Sequence, residues 1–349
     1  MNLRAHLLAG HVIPAQPLAL DAQRKFSERH QRAITRYYVA AGTGGLAVGV
    51  HSTQFEIREP QHGLFKPVLE LAARTIDEEL VRAPRPFAKI AGICGRTEQG
   101  VREAELARSL GYHAGLVSLA AFRNDPEDAM VAHCARVAEV LPVVGFYLQP
   151  AAGGRLASYA FWRRFAEIPN VVAIKIAPFN RYQTIDVVRA IVEAGREDIA
   201  LYTGNDDTIV ADLLTPFSFV RADGSRVTRR IVGGLLGHWG VWTKRAVELL
   251  DEAKRARGDA MMEARWLERA VAVTDMNAAL FDAANGFRGC IPGILEVLRR
   301  QGLVPSINCL NPHEVLSPGQ AEELTRVAKN YPELTDDEFV AANRDAWLR

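Results

Sequence analysis

The sequence is poor in the features that mark secreted, metal-binding and nucleic-acid-binding proteins. Its four cysteines (Cys94, Cys134, Cys290 and Cys309) are scattered and form no CxxC pair, which is typical of reduced thiols in a cytoplasmic protein. The nine histidines show no HxH or HExxH spacing, so little indicates a catalytic metal, and no cofactor is expected. A net charge of +1 gives no reason to expect nucleic acid or an anionic membrane as a partner.

Long apolar runs are absent as well. No run reaches the ~18 apolar residues that a membrane span needs. The apolar stretch near the N-terminus, up to Leu20, is expected to form a first strand and not a signal peptide. The sequence has no internal repeat, no low-complexity segment and no Gly/Ser-rich linker. These absences leave an ordinary globular protein of enzyme size.

The chain has, in contrast, a regular alternation of strand-like and helix-like segments. Eight short apolar runs predict strands at about 11–20, 44–50, 87–94, 113–119, 142–148, 171–177, 199–204 and 230–237. This alternation predicts a (β/α)₈ TIM barrel over residues 1–245, followed by a C-terminal helical region over residues 246–349. An open doubly wound sheet is the alternative, because periodicity cannot show whether a sheet closes.

The sixth predicted strand, Val171–Ala177, carries one lysine among apolar residues. Strand side chains alternate, so Val172, Ile174 and Ile176 share one face, and Lys175 shares the other with Val171, Ala173 and Ala177. The small residues leave room around an amine, and burial there would lower its pKa and favour the neutral nucleophile. The alternative is a lysine that reaches solvent from a strand end.

Tyr147 repeats this pattern on the fifth strand, beside Gly145. If the small faces of both strands point inward, the phenol and the Lys175 amine enter one cavity, where the phenol can carry protons. The alternative is a core tyrosine whose hydroxyl bonds to the backbone.

Polar residues follow the second strand at His51-Ser52-Thr53. Adjacent hydroxyls and backbone N–H groups on such a turn can hold a carboxylate, although an ordinary Ser/Thr turn has the same composition. His51 is a candidate proton carrier or a residue of the rim. Gly204 ends the seventh strand and permits close approach of the backbone to a ligand. The adjacent Asn205-Asp206-Asp207 run predicts an N-cap for the next helix, and ligand contact by this turn is the other interpretation.

Taken in order, these motifs resemble the dihydrodipicolinate synthase/N-acetylneuraminate lyase family. The residues that carry the resemblance are Val12-Ile13-Pro14-Ala15, Gly44 to Gly49, Tyr147-Leu148-Gln149-Pro150, Pro169 to Lys175 and Thr203-Gly204-Asn205-Asp206. The resemblance implies that Lys175 forms an imine with a 2-keto acid and that Tyr147 carries protons. It also implies that Ser52 and Thr53 hold the substrate carboxylate and that the protein is a homo-oligomer, a tetramer or a dimer.

The sequence departs from the family pattern at several positions. Val50 to Gln54 replaces the family's G-[ST]-T-G-E motif, Ala120-Ala121-Phe122 replaces a tyrosine pair, and Ala152 stands where the synthases carry an arginine. These departures argue against lysine biosynthesis and sialic acid cleavage.

We therefore expect a Schiff-base lyase of the pyruvate type that cleaves or forms a C–C bond. Three alternatives stay open: a 2-keto-3-deoxy acid dehydratase using the same imine, a metal-dependent barrel lyase, and a catalytically inactive family member.

Overall fold

The computed structural model describes residues 1–150, 153–259 and 261–349, and within these ranges eight parallel strands form the predicted barrel. They are β1 (Val12–Pro14), β2 (Gly45–Val48), β3 (Ala88–Ile93), β4 (Ala114–Val117), β5 (Val143–Leu148), β6 (Val171–Ala177), β7 (Ala200–Thr203) and, last in the chain, β10 (Gly233–Leu236). The strands are neighbours in the order β1-β10-β7-β6-β5-β4-β3-β2. Hydrogen bonds from Gln16 N to Ala47 O (2.9 Å) and from Gly44 N to Val12 O (3.1 Å) join the two ends. The sheet therefore closes, which confirms the TIM barrel and excludes the open sheet.

The helices between the strands pack around the barrel. They are α2 (Glu28–Ala41), α3 (Phe65–Arg82), α4 (Thr97–Ser109), α5 (Glu127–Ala138), α6 (Tyr159–Ala166), α7 (Arg181–Glu193), α8 (Ile209–Leu214) and α9 (Thr243–Ala256). Buried apolar side chains consequently form two clusters, a small one inside the barrel and a larger one between strands and helices. Outside a bulge at the start of β6, the strands contribute alternate residues to the two clusters, as the two-residue period of a strand requires.

A helical extension follows the barrel, as predicted. Its helices are α10 (Arg265–Phe281), α11 (Cys290–Arg300), α12 (Gln320–Asn330) and α13 (Asp337–Trp347). The segments around the start of α11 and before α12 lie over the C-terminal ends of the strands, where they meet the barrel cavity. The division of the chain at 245/246 stays a prediction. The helix α9, which spans that position, packs against the barrel helices α2 and α8.

Two elements lie outside the predicted pattern. The short helix α1 (Leu3–Leu8) covers the opposite end of the barrel, where Leu7 joins the inner cluster and its carbonyl accepts a hydrogen bond from the Tyr202 hydroxyl (2.8 Å). An antiparallel hairpin, β8 (Phe217–Val220) and β9 (Arg226–Arg229), is inserted between α8 and β10. Among the described residues, no helix combines the length and the apolar character that crossing a membrane requires.

Candidate active site

Lys175 lies on the inner face of β6, close to the C-terminal end of the strand. Its Cα pairs with Phe146 on β5 and with Tyr202 on β7, and both of these side chains also belong to the inner cluster. The lysine residue is 8% exposed, and its Nζ lies 4.5 Å from the centre of the Phe146 ring. The inward position agrees with the small face that the sequence gives this strand.

The surroundings of Lys175 favour its neutral form. Burial lowers the pKa of the amine, and the nearby Asp206 carboxyl opposes this effect. Gly204 provides the space: a Cβ at this position would lie 2.7 Å from Lys175 Cε and 2.7 Å from Ala177 Cβ. A glycine at the end of the neighbouring strand is therefore required for the lysine to occupy its position.

The amine faces a cavity of about 350 Å³ at the C-terminal end of the barrel. The barrel wall supplies Val50, His51 and Ser52 from the second strand's end, together with Phe146 and Asp206. In (β/α)₈ barrels this end of the strands carries the catalytic groups.

The helical extension closes the other side of the cavity. Phe281 at the end of α10, Phe287, and Cys290 at the start of α11 supply an apolar surface, while Asn311 and Glu314 add polar groups from the segment before α12. The cavity therefore contains a polar region around Lys175 and a second polar region on the extension, with aromatic rings among them.

The beginning of β6 differs from the predicted alternation. Val143 of β5 pairs with Val171, but Val144 pairs with Ala173, so Val172 is an additional residue in β6. As a result Val172 joins the inner cluster and Val171 the outer one, the reverse of the prediction. Such a bulge changes the alternation only locally, and Ala173, Lys175 and Ala177 face inward as predicted.

Tyr147 does not reach the cavity. It lies on the outer face of β5, where its ring centre is 5.2 Å from that of Trp162 on α6. Its hydroxyl donates to Ala157 O (3.2 Å) and accepts from Ala157 N (3.3 Å), and burial raises its pKa. The prediction that the small face of β5 points inward is wrong, because Gly145 faces the rings of Trp162 and Phe165 on α6 instead. The proton-carrier role of Tyr147 stays a prediction that this geometry does not support.

The residues after β2 divide between the cavity and the core. His51 and Ser52 line the cavity, and the Ser52 hydroxyl donates to Ala15 O (2.9 Å). Burial and the charge of Lys175 lower the pKa of His51 to about 4, which leaves the imidazole neutral at pH 7. Thr53 is fully buried; its hydroxyl donates to Gln16 O (2.6 Å) and accepts from Gly49 N (3.0 Å) and Val50 N (3.2 Å). The structure thus brings His51 and Ser52 to Lys175 but uses Thr53 to fix the turn.

The segment after β7 borders the cavity and also contacts the next helix, where Asn205 Nδ2 donates to Asp212 Oδ2 (2.9 Å). The helix α8 has Thr208 at its N-cap position, with no side-chain cap hydrogen bond, so the predicted capping by the Asn/Asp run is wrong. Asn205 Oδ1 instead accepts from Phe179 N (3.0 Å), and Asp206 faces the cavity. The sequence places Asp206 in a turn for which ligand contact is one interpretation but gives it no catalytic role, although its place directly after a barrel strand next to the lysine strand is a signal for a functional residue.

Lys89 and Arg155 lie outside the cavity, and their contacts are structural. Lys89, the lysine of β3, donates to both carboxylate oxygens of Asp77 (2.8 and 2.9 Å). Arg155 donates to the carbonyls of Phe122 (2.8 Å) and Asp125 (2.6 Å). The nearby Ala152, which stands at the position of the synthases' arginine, lies outside the described residues. Across the described ranges, no three His, Cys, Asp or Glu side chains are grouped so that they could hold a metal ion.

Part of the chain is similar in sequence to known enzymes. No protein-family model matches the chain. The 4-hydroxy-tetrahydrodipicolinate synthase of Aromatoleum aromaticum is 28% identical over 187 residues, which cover 52% of this chain and 59% of the synthase. The synthase of the same name from Synechococcus elongatus is 28% identical over 222 residues, covering 62% of this chain and 67% of that protein. The matched part thus spans less than two thirds of the first relative's length.

Solved structures show the same fold over nearly the whole chain. Dihydrodipicolinate synthase from Thermotoga maritima matches with a TM-score of 0.73 and 19% identity, over 93% of this chain and 99% of that one. N-acetylneuraminate lyase from Fusobacterium nucleatum, solved in complex with pyruvate, matches with a TM-score of 0.71 and 16% identity, over 95% and 99% of the two chains. The sequence matches and this fold together support the resemblance of the chain to the dihydrodipicolinate synthase/N-acetylneuraminate lyase family.

Proposed function

We propose that the protein is a class I lyase that forms an imine between Lys175 and a 2-keto acid of the pyruvate type. The observation that supports this most strongly is the buried Lys175 amine beside a cavity at the end of the barrel, with the space for it left by Gly204. Burial lowers the pKa of this amine, so a larger fraction is neutral and able to attack a carbonyl carbon.

The carboxylate of the keto acid has a place beside the amine, at the turn that follows β2. The first N–H groups of a helical turn lack acceptors within the turn, and the turn His51–Thr53 begins at the cavity wall. The Ser52 hydroxyl can add a hydrogen bond if it rotates away from Ala15 O. We therefore assign His51 and Ser52 to carboxylate binding and give Thr53 the supporting role of holding this turn.

The imine serves as an electron sink for more than one reaction. It supports C–C cleavage or condensation and equally the loss of water from a 2-keto-3-deoxy acid, so both reactions belong to the proposal. The cavity extends from Lys175 to Asn311 and Glu314 on the helical extension, which gives the rest of the substrate polar contacts far from the amine. We also retain the proposals that the protein is cytoplasmic and a homo-oligomer, tetramer or dimer; they rest on the cysteine pattern and on the family.

A catalytically inactive barrel is the second candidate, and one observation favours it. The inward residue beside Lys175 on β5 is Phe146, which has no proton to transfer, while Tyr147 faces α6. A barrel with a lysine but no proton carrier could bind a carbonyl compound without turning it over. Asp206 in the same cavity argues for the active enzyme.

The experiment that tests the proposal is reductive trapping. The protein is incubated with pyruvate and with longer 2-keto acids, treated with borohydride, and weighed intact by mass spectrometry. We expect the mass of the reduced adduct on the wild-type chain and none on Lys175→Met. An adduct that persists on Lys175→Met but is lost from Lys89→Met would contradict the assignment of the nucleophile.

A further inference from the structure

A carboxyl group, Asp206, shares the cavity with Lys175. Asp206 follows β7, the strand that pairs with β6, and the register places Tyr202 beside Lys175 and Thr203 beside Ile176. The segment that follows then turns over the end of β6, where Gly204 N donates to Ile176 O (2.7 Å). Asp206 is only 5% exposed, and both it and Lys175 line the cavity. Two buried ionisable groups of opposite charge thus line the same cavity, at the C-terminal ends of two paired strands.

The position of Asp206 is held by the turn after β10, the other strand that pairs with β7. Its Oδ1 accepts a hydrogen bond from the backbone N–H of His238 (3.3 Å), in the turn after β10. The Nδ1 of the same histidine accepts from the side-chain amide of Asn277 on α10 (3.2 Å). Burial lowers the pKa of His238 to about 4, so this ring is neutral at pH 7 and brings no charge to the pair.

On the basis of this geometry, and building on the imine proposed above, we propose that Asp206 is the proton carrier for Lys175 in place of the outward-facing Tyr147. The other groups near the amine are poorly suited to this task. Phe146 has no exchangeable proton, burial raises the pKa of the Cys290 thiol, and the His51 imidazole is neutral at pH 7. Asp206 is the carboxyl group whose charge the Lys175 amine feels most strongly.

The chemical step balances with these two residues alone. The neutral Lys175 amine adds to the C2 carbonyl of the keto acid, and transfer of one amine proton to the oxygen gives a carbinolamine. The protonated Asp206 carboxyl then donates its proton to the carbinolamine hydroxyl, the C–O bond breaks, and the nitrogen lone pair forms the C=N bond. The products are the iminium, one water molecule and the Asp206 carboxylate, and the total charge is unchanged. Hydrolysis of the product imine runs the same step in reverse.

Burial acts on both members of the pair in the direction that this step needs. It lowers the pKa of Lys175 and raises the pKa of Asp206, so both neutral forms become more accessible at the same pH. The charged and titratable groups that face Asp206 are Lys175 from β6, the adjacent Asp207 and Cys290 from α11. Lys175 lowers the pKa of Asp206 and Asp207 raises it, both to a smaller extent than burial does.

The test measures the rate of trapped-adduct formation on Lys175 with pyruvate and borohydride, from about pH 6 to pH 9. The wild-type rate is expected to rise as Lys175 loses its proton and to fall as Asp206 loses its proton. Asp206→Asn should be slower by about 10²-fold or more, the usual scale for losing a general acid, and should lack the falling limb. Its rising limb should move to lower pH, because the carboxylate that raises the pKa of Lys175 is gone. A purely structural role for Asp206 would leave both limbs in place.

Two further variants complete the test. Asp207→Asn removes the neighbouring carboxyl group, which does not line the cavity, and should form the adduct at close to the wild-type rate. Asp206→Glu keeps a proton carrier and should keep both limbs of the pH profile, at a rate between those of the wild type and Asp206→Asn. A Glu variant that lacks the falling limb would contradict the proposal even if the Asn variant did not fold.

The outcomes separate this inference from the imine itself. An adduct on the wild-type chain that forms at the same rate and with the same pH profile on Asp206→Asn would overturn the role of Asp206 alone. A wild-type chain that forms no adduct with any 2-keto acid would overturn the imine, and the role of Asp206 with it.

Discussion

The neighbouring strands β5 and β6 have the same alternation of small and bulky residues, yet they turn opposite faces to the barrel interior. On β6 the small face, with Ala173, Lys175 and Ala177, points inward. On β5 the small face points outward, where Gly145 lies against the rings of Trp162 and Phe165, and bulky Phe146 points inward beside Lys175. A small residue in a strand therefore indicates that something packs closely against it, but it does not show whether that neighbour lies inside the barrel or in the surrounding helices.

The largest expected effect concerns the inner face of β6. Lys175→Met keeps the approximate volume and removes the nucleophile, so turnover should fall to the background rate in a steady-state assay with a substrate identified by trapping. The matched control is Lys89→Met, which loses an ion pair with an exposed partner, Asp77. This control should keep its turnover and lose at most about 1 kcal/mol of unfolding free energy. Equal turnover in the two variants would mean that the inward lysine is not catalytic.

A glycine-to-alanine change at Gly204, on the cavity side, should lower the activity. In Gly204→Ala the new Cβ would meet Lys175 Cε at 2.7 Å, so the amine must move. Displacing a reacting group by about 1 Å can lower turnover by about 10²-fold, and kcat with a trapped substrate measures it. Unchanged turnover would show that Lys175 reaches its substrate from another position.

A glycine-to-alanine change at Gly145, on the outer face of β5, should lower the stability of the protein. In Gly145→Ala the new Cβ would meet Phe165 at 2.8 Å and Trp162 at 3.3 Å. Overpacking of this kind costs about 1–3 kcal/mol, which chemical denaturation measures, while turnover per folded molecule should be kept. A stable Gly145→Ala with impaired turnover would indicate that this face of β5 points into the cavity.

The smallest expected effect concerns the Tyr147 hydroxyl. Tyr147→Phe removes hydrogen bonds to Ala157, which should cost about 0.5–1.5 kcal/mol of unfolding free energy. Turnover should stay close to that of the wild type, since the hydroxyl lies on the helix side of the strand. A loss of about 10²-fold, the scale for a general acid–base, would restore the proton-carrier role that the sequence suggests for this tyrosine.

The barrel could be predicted from the sequence because its strands depend on local patterns. Each strand is a short apolar run between turn residues, and the β-branched residues around Lys175 favour a buried parallel strand. The helix Leu3–Leu8 was missed because it has only six residues. The hairpin β8–β9 was also missed, although Asp223-Gly224 between alternating residues is a recognised hairpin signal.

The site could be predicted only in part, because the side of a strand that faces the cavity depends on residues distant in the chain. Four of the residues that the sequence singles out, Lys175, His51, Ser52 and Gly204, line the cavity. The direction of Tyr147 depends on Trp162 and Phe165 of the next helix, and nothing in the β5 pattern reveals them. The sequence favours a helix cap over ligand contact for the run that contains Asp206, and the position of this side chain depends on the backbone of His238 from a later segment.

The most direct test of the account is the titration of Lys175 in the protein without substrate. Competitive labelling with a trace amine-reactive reagent, followed by peptide mass spectrometry, gives the reactivity of this lysine as a function of pH. Because burial lowers the pKa of the amine, Lys175 in the folded chain should reach half-maximal reactivity at a lower pH than the same residue in the denatured chain. The same midpoint in the folded and denatured chains would contradict the claim that the barrel interior prepares Lys175 as a neutral nucleophile.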